Sequence, residues 1–253
     1  MTAATLHHFT APDGTRLVWH GMGPASGRPL VLLHGLFSSA EVNWIKYGTA
    51  ATLAGAGFRL IMPDNRAHGG SEAPHDPAAY PGDVLVADVL ALVAGLGLTD
   101  YDLGGFSLGA RTAVRSVLAG LAPRRLILGG MGLEGLSGWA RRSAHFIDAI
   151  DRFGTIPHGD PAFLAQAFMK TMKVDRTAAR LLLQSVDDTP VEALAGVSMP
   201  TLVVCGADDQ DNGSAPTLAE ALPHATYAEI PGNHMSCVTR PELAAAMVAF
   251  LEG

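Results

Sequence analysis

Apolar and polar positions along the chain fall into blocks whose spacing changes with the element they predict. Two short stretches, Leu6 to Phe9 and Arg16 to His20, flank Asp13-Gly14, a pair suited to the positive φ angles of a tight turn, so an antiparallel hairpin is expected. Pro29 to Leu33 is an unbroken apolar run that suits a strand buried on both faces. A helix is predicted around Trp44 to Ala54, stopped by Gly55 and Gly57, before a second apolar run, Phe58 to Met62, ends at Pro63. The alternation continues with a helix near Asp83 to Ala94, a strand at Tyr101 to Phe106, a helix from Ser107 to Ala119 and a strand at Arg125 to Leu128.

From about Met131 to Val197 the pattern becomes helical with no clear strand. It then resumes with a strand at Thr201 to Cys205, a helix near Pro216 to Leu222, a strand near Thr226 to Ile230 and a last helix from Pro241 to Leu251. Repeated strand and helix units predict an α/β fold: a mostly parallel sheet with an N-terminal antiparallel hairpin and helices on both faces. The expected organisation is a core of residues 1–130 and 198–253 with a helical cap at 131–197.

Composition narrows the function classes. A chain of 253 residues, 48% hydrophobic and 16% charged, is long enough for one domain with a modest insertion and unlike a disordered chain. A formal charge of -7 argues against nucleic acid, whose phosphates require clustered Lys and Arg. The pairs Arg124-Arg125 and Arg141-Arg142 read as solvated surface. The stretch Met1 to His8 has neither the basic start nor the apolar core of a signal peptide, and no run approaches the ~18 apolar residues of a membrane span. With only two cysteines, nothing asks for an oxidising compartment, so a cytoplasmic protein without membrane contact is expected. No pattern names an oligomeric state.

The sharpest chemical signal is Gly105-Phe106-Ser107-Leu108-Gly109, placed where a strand gives way to a helix. With 29 glycines in the chain, chance alone supplies roughly 0.15 such matches, so context must carry it. A serine in a strained turn at that junction projects its hydroxyl above the sheet, and the helix N-terminus faces the position where negative charge would build. The alternative reading is a packing turn with a capping serine.

A serine hydroxyl needs a base. Of ten histidines, His234 lies in Pro231-Gly232-Asn233-His234-Met235, a polar loop expected at the same sheet edge as Ser107. The base in turn needs an anion to fix its tautomer. Asp208, Asp209 and Asp211 follow the strand that ends at Cys205, with Asp209 preferred, Asp208 next and Glu134 a distant alternative.

Leu30 to Leu36 with its His34-Gly35 pair, Asp64 to Ser71, the Ser107 turn, Gly206 to Asp209 and Gly232-Asn233-His234 together resemble the landmarks of the α/β-hydrolase family, in the order found there. In that family the acid usually stands three places after the loop glycine, which favours Asp209. The resemblance implies an oxyanion hole made by the backbone N–H groups of Leu36 and Leu108. It assigns Asp64, Arg66 and His68 to bracing the loops around the site. Ala67 departs from the pattern, standing where glycine is common.

Gly130-Met131-Gly132-Leu133-Glu134-Gly135 also matches the dinucleotide-binding G-x-G-x-x-G pattern. Leu136-Ser137-Gly138-Trp139 is a poor opening for a phosphate-facing helix, so the glycines read as a flexible entry to the cap. No metal-ligand spacing is present, and no cofactor or metal is expected. Cys205 reads as core and Cys237 as a buried bystander. A serine in place of aspartate disfavours dehalogenase and epoxide-opening chemistry. The expected activity is hydrolysis of an ester of a small apolar substrate through an acyl-enzyme. The alternatives are hydrolysis of a carbon–carbon bond in a diketone-like substrate, or a ligand receptor with little turnover. Phe37, Phe146, Phe168, Met169 and Met172 are the candidate walls of the substrate pocket.

Overall fold

A computed structural model describes residues 3–253; Met1 and Thr2 of the N-terminal stretch lie outside the described residues. Eight strands form one sheet in the order β1-β2-β4-β3-β5-β6-β7-β8. They are β1 (Thr5–Thr10), β2 (Arg16–Met22), β3 (Arg28–Leu33), β4 (Phe58–Pro63), β5 (Asp102–Phe106), β6 (Leu126–Gly129), β7 (Thr201–Gly206) and β8 (Ala225–Ile230). β1 and β2 are antiparallel, β2 pairs antiparallel with β4, and every other pairing is parallel. The register sets Leu33 opposite Gly105 and Gly105 opposite Leu128, so the strands at the centre of the sheet end at a common level.

Alternate side chains of the central strands enter different apolar clusters, as a pleat covered on both faces requires. Val31, Leu33, Leu103, Leu126, Leu128 and Val203 pack with α2 (Val84–Gly95), α3 (Leu108–Leu118) and α8 (Ala215–Ala221). Leu30, Leu32, Leu60, Ile127, Leu202 and Val204 pack with α1 (Thr49–Gly55) and α9 (Pro241–Glu252).

Two local expectations change. Of the Asp13-Gly14 pair only Gly14 takes a positive φ, 89°. Its amide donates to the Ala11 carbonyl at 2.9 Å and the Ala11 amide to Thr15 at 2.9 Å, closing a longer loop. Pro12 pre-sets a right-handed turn that Gly14 then reverses, the geometry of a longer hairpin loop with a glycine bulge. The helix expected over Trp44 to Ala54 is two pieces: a wide single turn at Glu41–Ile45, and α1. Gly48, at φ 90°, separates them, a conformation that glycine adopts without a Cβ clash.

Between β6 and β7 the chain forms α4 (Leu133–Ser137), α5 (Trp139–Asp151), α6 (Phe163–Met172) and α7 (Arg176–Ser185). Trp139, Ala149, Ile150, Met169, Leu182 and Leu183 share an apolar cluster with Phe37, Ala67, Tyr80 and Leu108, which lie beyond strand ends. The two ends of this span pack elsewhere: Met131, Leu136, Leu194 and Val197 join the sheet's own cluster. Arg111 of α3, with 1% of its surface exposed, fastens both ends. Its guanidinium donates to the carbonyls of Gly135 (2.7 Å), Leu136 (2.6 Å) and Asp187, and lies over the Trp139 ring. No described helix is long and apolar enough to cross a membrane.

Candidate active site

Ser107 stands between β5 and α3 with φ 53° and ψ -116°, backbone angles that cost a non-glycine residue about 1–3 kcal/mol. Its flanking glycines make that turn possible. A Cβ on Gly105 would lie 2.2 Å from the Gly109 carbonyl carbon, and one on Gly109 would lie 2.1 Å from the Leu33 carbonyl oxygen. Ser107 caps no amide of α3, so its hydroxyl is not consumed as a helix cap. It lies 3.0 Å from His234 Nε2 instead.

His234 Nδ1 is 2.8 Å from Asp209 Oδ2. Burial alone would raise the Asp209 carboxyl, but the hydrogen bond and charge of His234, with the Asp211 amide at 3.1 Å, outweigh it and hold the group below its usual range. An ionised carboxylate only accepts, so Nδ1 carries the proton and Nε2 is left to accept from the Ser107 hydroxyl. Asp209, 5% exposed, is the member of the acidic group that reaches the histidine. Exposed Asp208 makes no such contact, and the distant alternative Glu134 accepts from the Ser214 amide.

The Leu36 and Leu108 amides donate to no group among the described residues. Leu108 opens α3, where the first amides have no acceptor within the helix and the dipole favours an anion. The Leu36 loop is held by buried neighbours. Phe37, at φ 58°, donates its amide to His68 Nε2 at 2.9 Å, and the Gly35 amide donates to Asn43 Oδ1 at 2.9 Å.

Both nitrogens of His68 are engaged, because Nδ1 lies 2.9 Å from the Arg66 carbonyl and so carries the proton. Burial pushes this imidazole down to about 3, leaving a neutral brace with no free lone pair. His34 is held the same way, with Nε2 accepting from the Asn65 amide at 2.9 Å and Nδ1 at 2.7 Å from the Gly35 carbonyl. Asp64 accepts from the Ala40 and Gly70 amides, both at 2.8 Å. Arg66 joins Asp88 (2.8 Å), Asp13, Thr15 (2.9 Å) and the Ala79 carbonyl (2.7 Å). Ala67 takes the left-handed conformation at φ 65°, a region that favours glycine.

Four of the five expected pocket residues, Phe37, Phe146, Phe168 and Met169, meet in one apolar cluster, and Met172 shares a cleft with Phe37. Phe37 meets Phe146 edge to face with ring centroids 5.5 Å apart. Met169 is 1% exposed within the apolar cluster, and Phe168 packs partly buried against it. Met172 and Phe37 line a cleft of about 120 Å³ with His68, Gly69 and Lys173.

The glycine-rich segment is packed, not flexible. A Cβ on Gly132 would meet the Gly213 carbonyl oxygen at 2.3 Å, and one on Gly135 the Met131 Sδ at 2.5 Å. Those glycines admit the acid-bearing loop, whose Asn212 donates to the Gly130 carbonyl at 2.7 Å, so the dinucleotide reading loses its phosphate-facing space. Asp209, Asp211 and His234 bring potential metal-binding atoms within 4.8 Å, a grouping that sequence spacing did not reveal. Asp209 and His234 already share a hydrogen bond. Asn43, Asn212 and Cys205, whose thiol lies 3.4 Å from Asp209 Oδ2, also escaped the sequence reading. Only the nearness of Asn212 and Cys205 to the acid loop could have flagged them.

A family model for the alpha/beta hydrolase fold matches residues 28–125. The chain is 26% identical to a non-heme chloroperoxidase of Streptomyces lividans, across 92% of this chain and 95% of that protein. Among solved structures, a hydrolase from Pseudomonas aeruginosa superposes with a TM-score of 0.77 at 25% identity over 100% of both chains. An esterase from a Rhodococcus species gives 0.76 at 26% identity over 98% of both. With its eight-stranded sheet and N-terminal antiparallel hairpin, the chain has the alpha/beta hydrolase fold.

Proposed function

We propose that this protein is a serine hydrolase that cleaves an ester of a small apolar substrate through an acyl-enzyme. The observation that carries the reading is the hydrogen-bonded line from Asp209 through His234 to Ser107, at 2.8 and 3.0 Å. His234 takes the Ser107 proton as the hydroxyl attacks the ester carbonyl, and the Leu36 and Leu108 amides stabilise the tetrahedral oxyanion. His234 then protonates the departing alcohol, leaving acyl-Ser107. It next activates a water that releases the acid. Asp209 stabilises the imidazolium at each step.

Residues 131–197 act as the cap over a core of 1–130 and 198–253, and their aromatic and Met side chains favour an apolar group on the substrate. Phe37 and Met172, which line the cleft beside His68, are the residues to vary first, followed by Phe146, Phe168 and Met169 of the adjoining apolar cluster. The two cysteines are unpaired, which fits a reducing cytoplasmic setting.

A serine-reactive fluorophosphonate should label one peptide, the one containing Ser107. Ser107→Ala should abolish both labelling and hydrolysis of short p-nitrophenyl esters, with a loss of about 10⁴-fold or more in kcat/KM. Labelling elsewhere, or hydrolysis that survives Ser107→Ala, overturns the reading. Tight saturable ligand binding without turnover would favour the receptor alternative.

A further inference from the structure

We propose that Cys205 is a positioning residue of the hydrolytic site, its thiol donating to the same carboxylate oxygen of Asp209 that receives His234. The proposal rests on the Asp209–His234–Ser107 reading. Cys205 Sγ lies 3.4 Å from Asp209 Oδ2, a sulfur hydrogen-bond distance, and His234 Nδ1 lies 2.8 Å from the same atom. Oδ1 is taken by the Asp211 amide at 3.1 Å. Three donors therefore fix both carboxylate oxygens, and two of them compete for the charge on one oxygen.

Cys205 is suited to this by its place. It ends the apolar run of β7, is 3% exposed, and its backbone is held in the parallel ladder opposite Glu229. A side chain rooted in the sheet aims at the acid from a rigid element, whereas Asp209 itself sits on a loop. Burial, then the neighbouring Asp209 charge, pushes the thiol well above its ordinary range, so it stays protonated and remains a donor. The second thiol makes the contrast. Cys237, 1% exposed, makes its hydrogen bond in this loop to the His234 backbone carbonyl, at 3.6 Å, and makes none to the Asp209 carboxylate or the imidazole.

Removing the Cys205 donor frees charge on Oδ2 to draw more strongly on the His234 proton. The carboxylate also loses a restraint on its rotation. Arg142, Asp211 and Tyr227 also face the Asp209 carboxylate, with Cys237 near it but not hydrogen-bonded to it, and all four stay unchanged in the Cys205 variants.

The test compares wild type, Cys205→Ala, Cys205→Ser, Cys205→Val and Cys237→Ala in p-nitrophenyl ester hydrolysis across the acid limb of the pH profile. Cys205→Ala should lower kcat about three- to ten-fold with KM unchanged and move the acid limb to higher pH. Cys205→Ser should restore most of the rate and the limb, and Cys237→Ala should keep the wild-type limb. Wild-type kcat and limb in Cys205→Ala overturn the proposal. So does a Cys205→Ser variant as impaired as Cys205→Val, since packing alone would then explain the loss. Where Cys205→Ala fails to fold, the serine and valine variants carry the same comparison. Hydrolysis surviving in Ser107→Ala is a separate result that removes the triad itself, whatever the Cys205 variants do.

Discussion

At the scale of single residues, the buried histidines around the site make stability depend on pH. Burial pushes His68 from its ordinary 6.5 down to about 3 and lowers His34 as well. The unfolded chain takes up protons below about pH 6.5 that the folded chain refuses, so the stabilising contribution is full above that value and drains away as pH falls toward 3. For His68 alone this amounts to about 2 kcal/mol by pH 5. His20, raised first by its hydrogen bond to Asp64, works in the opposite sense. Urea unfolding of the wild type should therefore weaken steeply between about pH 7 and 5, with a shallower slope in His68→Gln. Equal slopes would remove His68 as the cause. The contact of Asp209 with His234 was foreshadowed by the family resemblance, in which the acid stands three places after the loop glycine. The Cys205 and Asn43 contacts were not, because a core-patterned residue gives no sign of what its one polar atom meets.

At the scale of elements, the strands and most helices were legible because buried parallel strands leave unbroken apolar runs, and Gly or Pro ends them. The divided helix before α1 was misread because Trp44 and Leu53 are both buried and continue one apolar pattern across Gly48, which breaks the backbone. Glycine position, rather than glycine number, decides what a substitution does. Gly109→Ala would place a methyl 2.1 Å from the Leu33 carbonyl oxygen and force α3 away from β3. It should cost about 2–4 kcal/mol in urea unfolding and displace the Ser107 turn, with a large fall in kcat. Gly95→Ala, at the end of α2 with nothing within 4 Å, should instead stabilise by about 0.5–1 kcal/mol. Opposite signs for the pair are the expected result.

At the scale of the whole molecule, the sheet, α3 and the helical span meet at Arg111. Burial draws its guanidinium down to about 10, and it still makes hydrogen bonds to three backbone carbonyls. Arg111→Met keeps length but leaves those carbonyls without a donor, and should cost about 2–4 kcal/mol in urea unfolding. An unchanged midpoint would mean that the carbonyls find other partners. Nothing in the sequence announced this role, since an arginine one turn after the serine reads as an ordinary polar position on a helix. Its partners lie 24, 25 and 76 residues away along the chain.

The same guanidinium fixes where this fold can be recombined. Exchange of the helical span with that of a relative at residues 131 and 197 would carry the Gly135, Leu136 and Asp187 carbonyls away with the donor sequence, while Arg111 stayed behind. Junctions placed inward, at Gly138 and Val186, leave all three carbonyls with their arginine. Chimeras made at those inner seams should inherit new substrate preferences without inheriting a broken root.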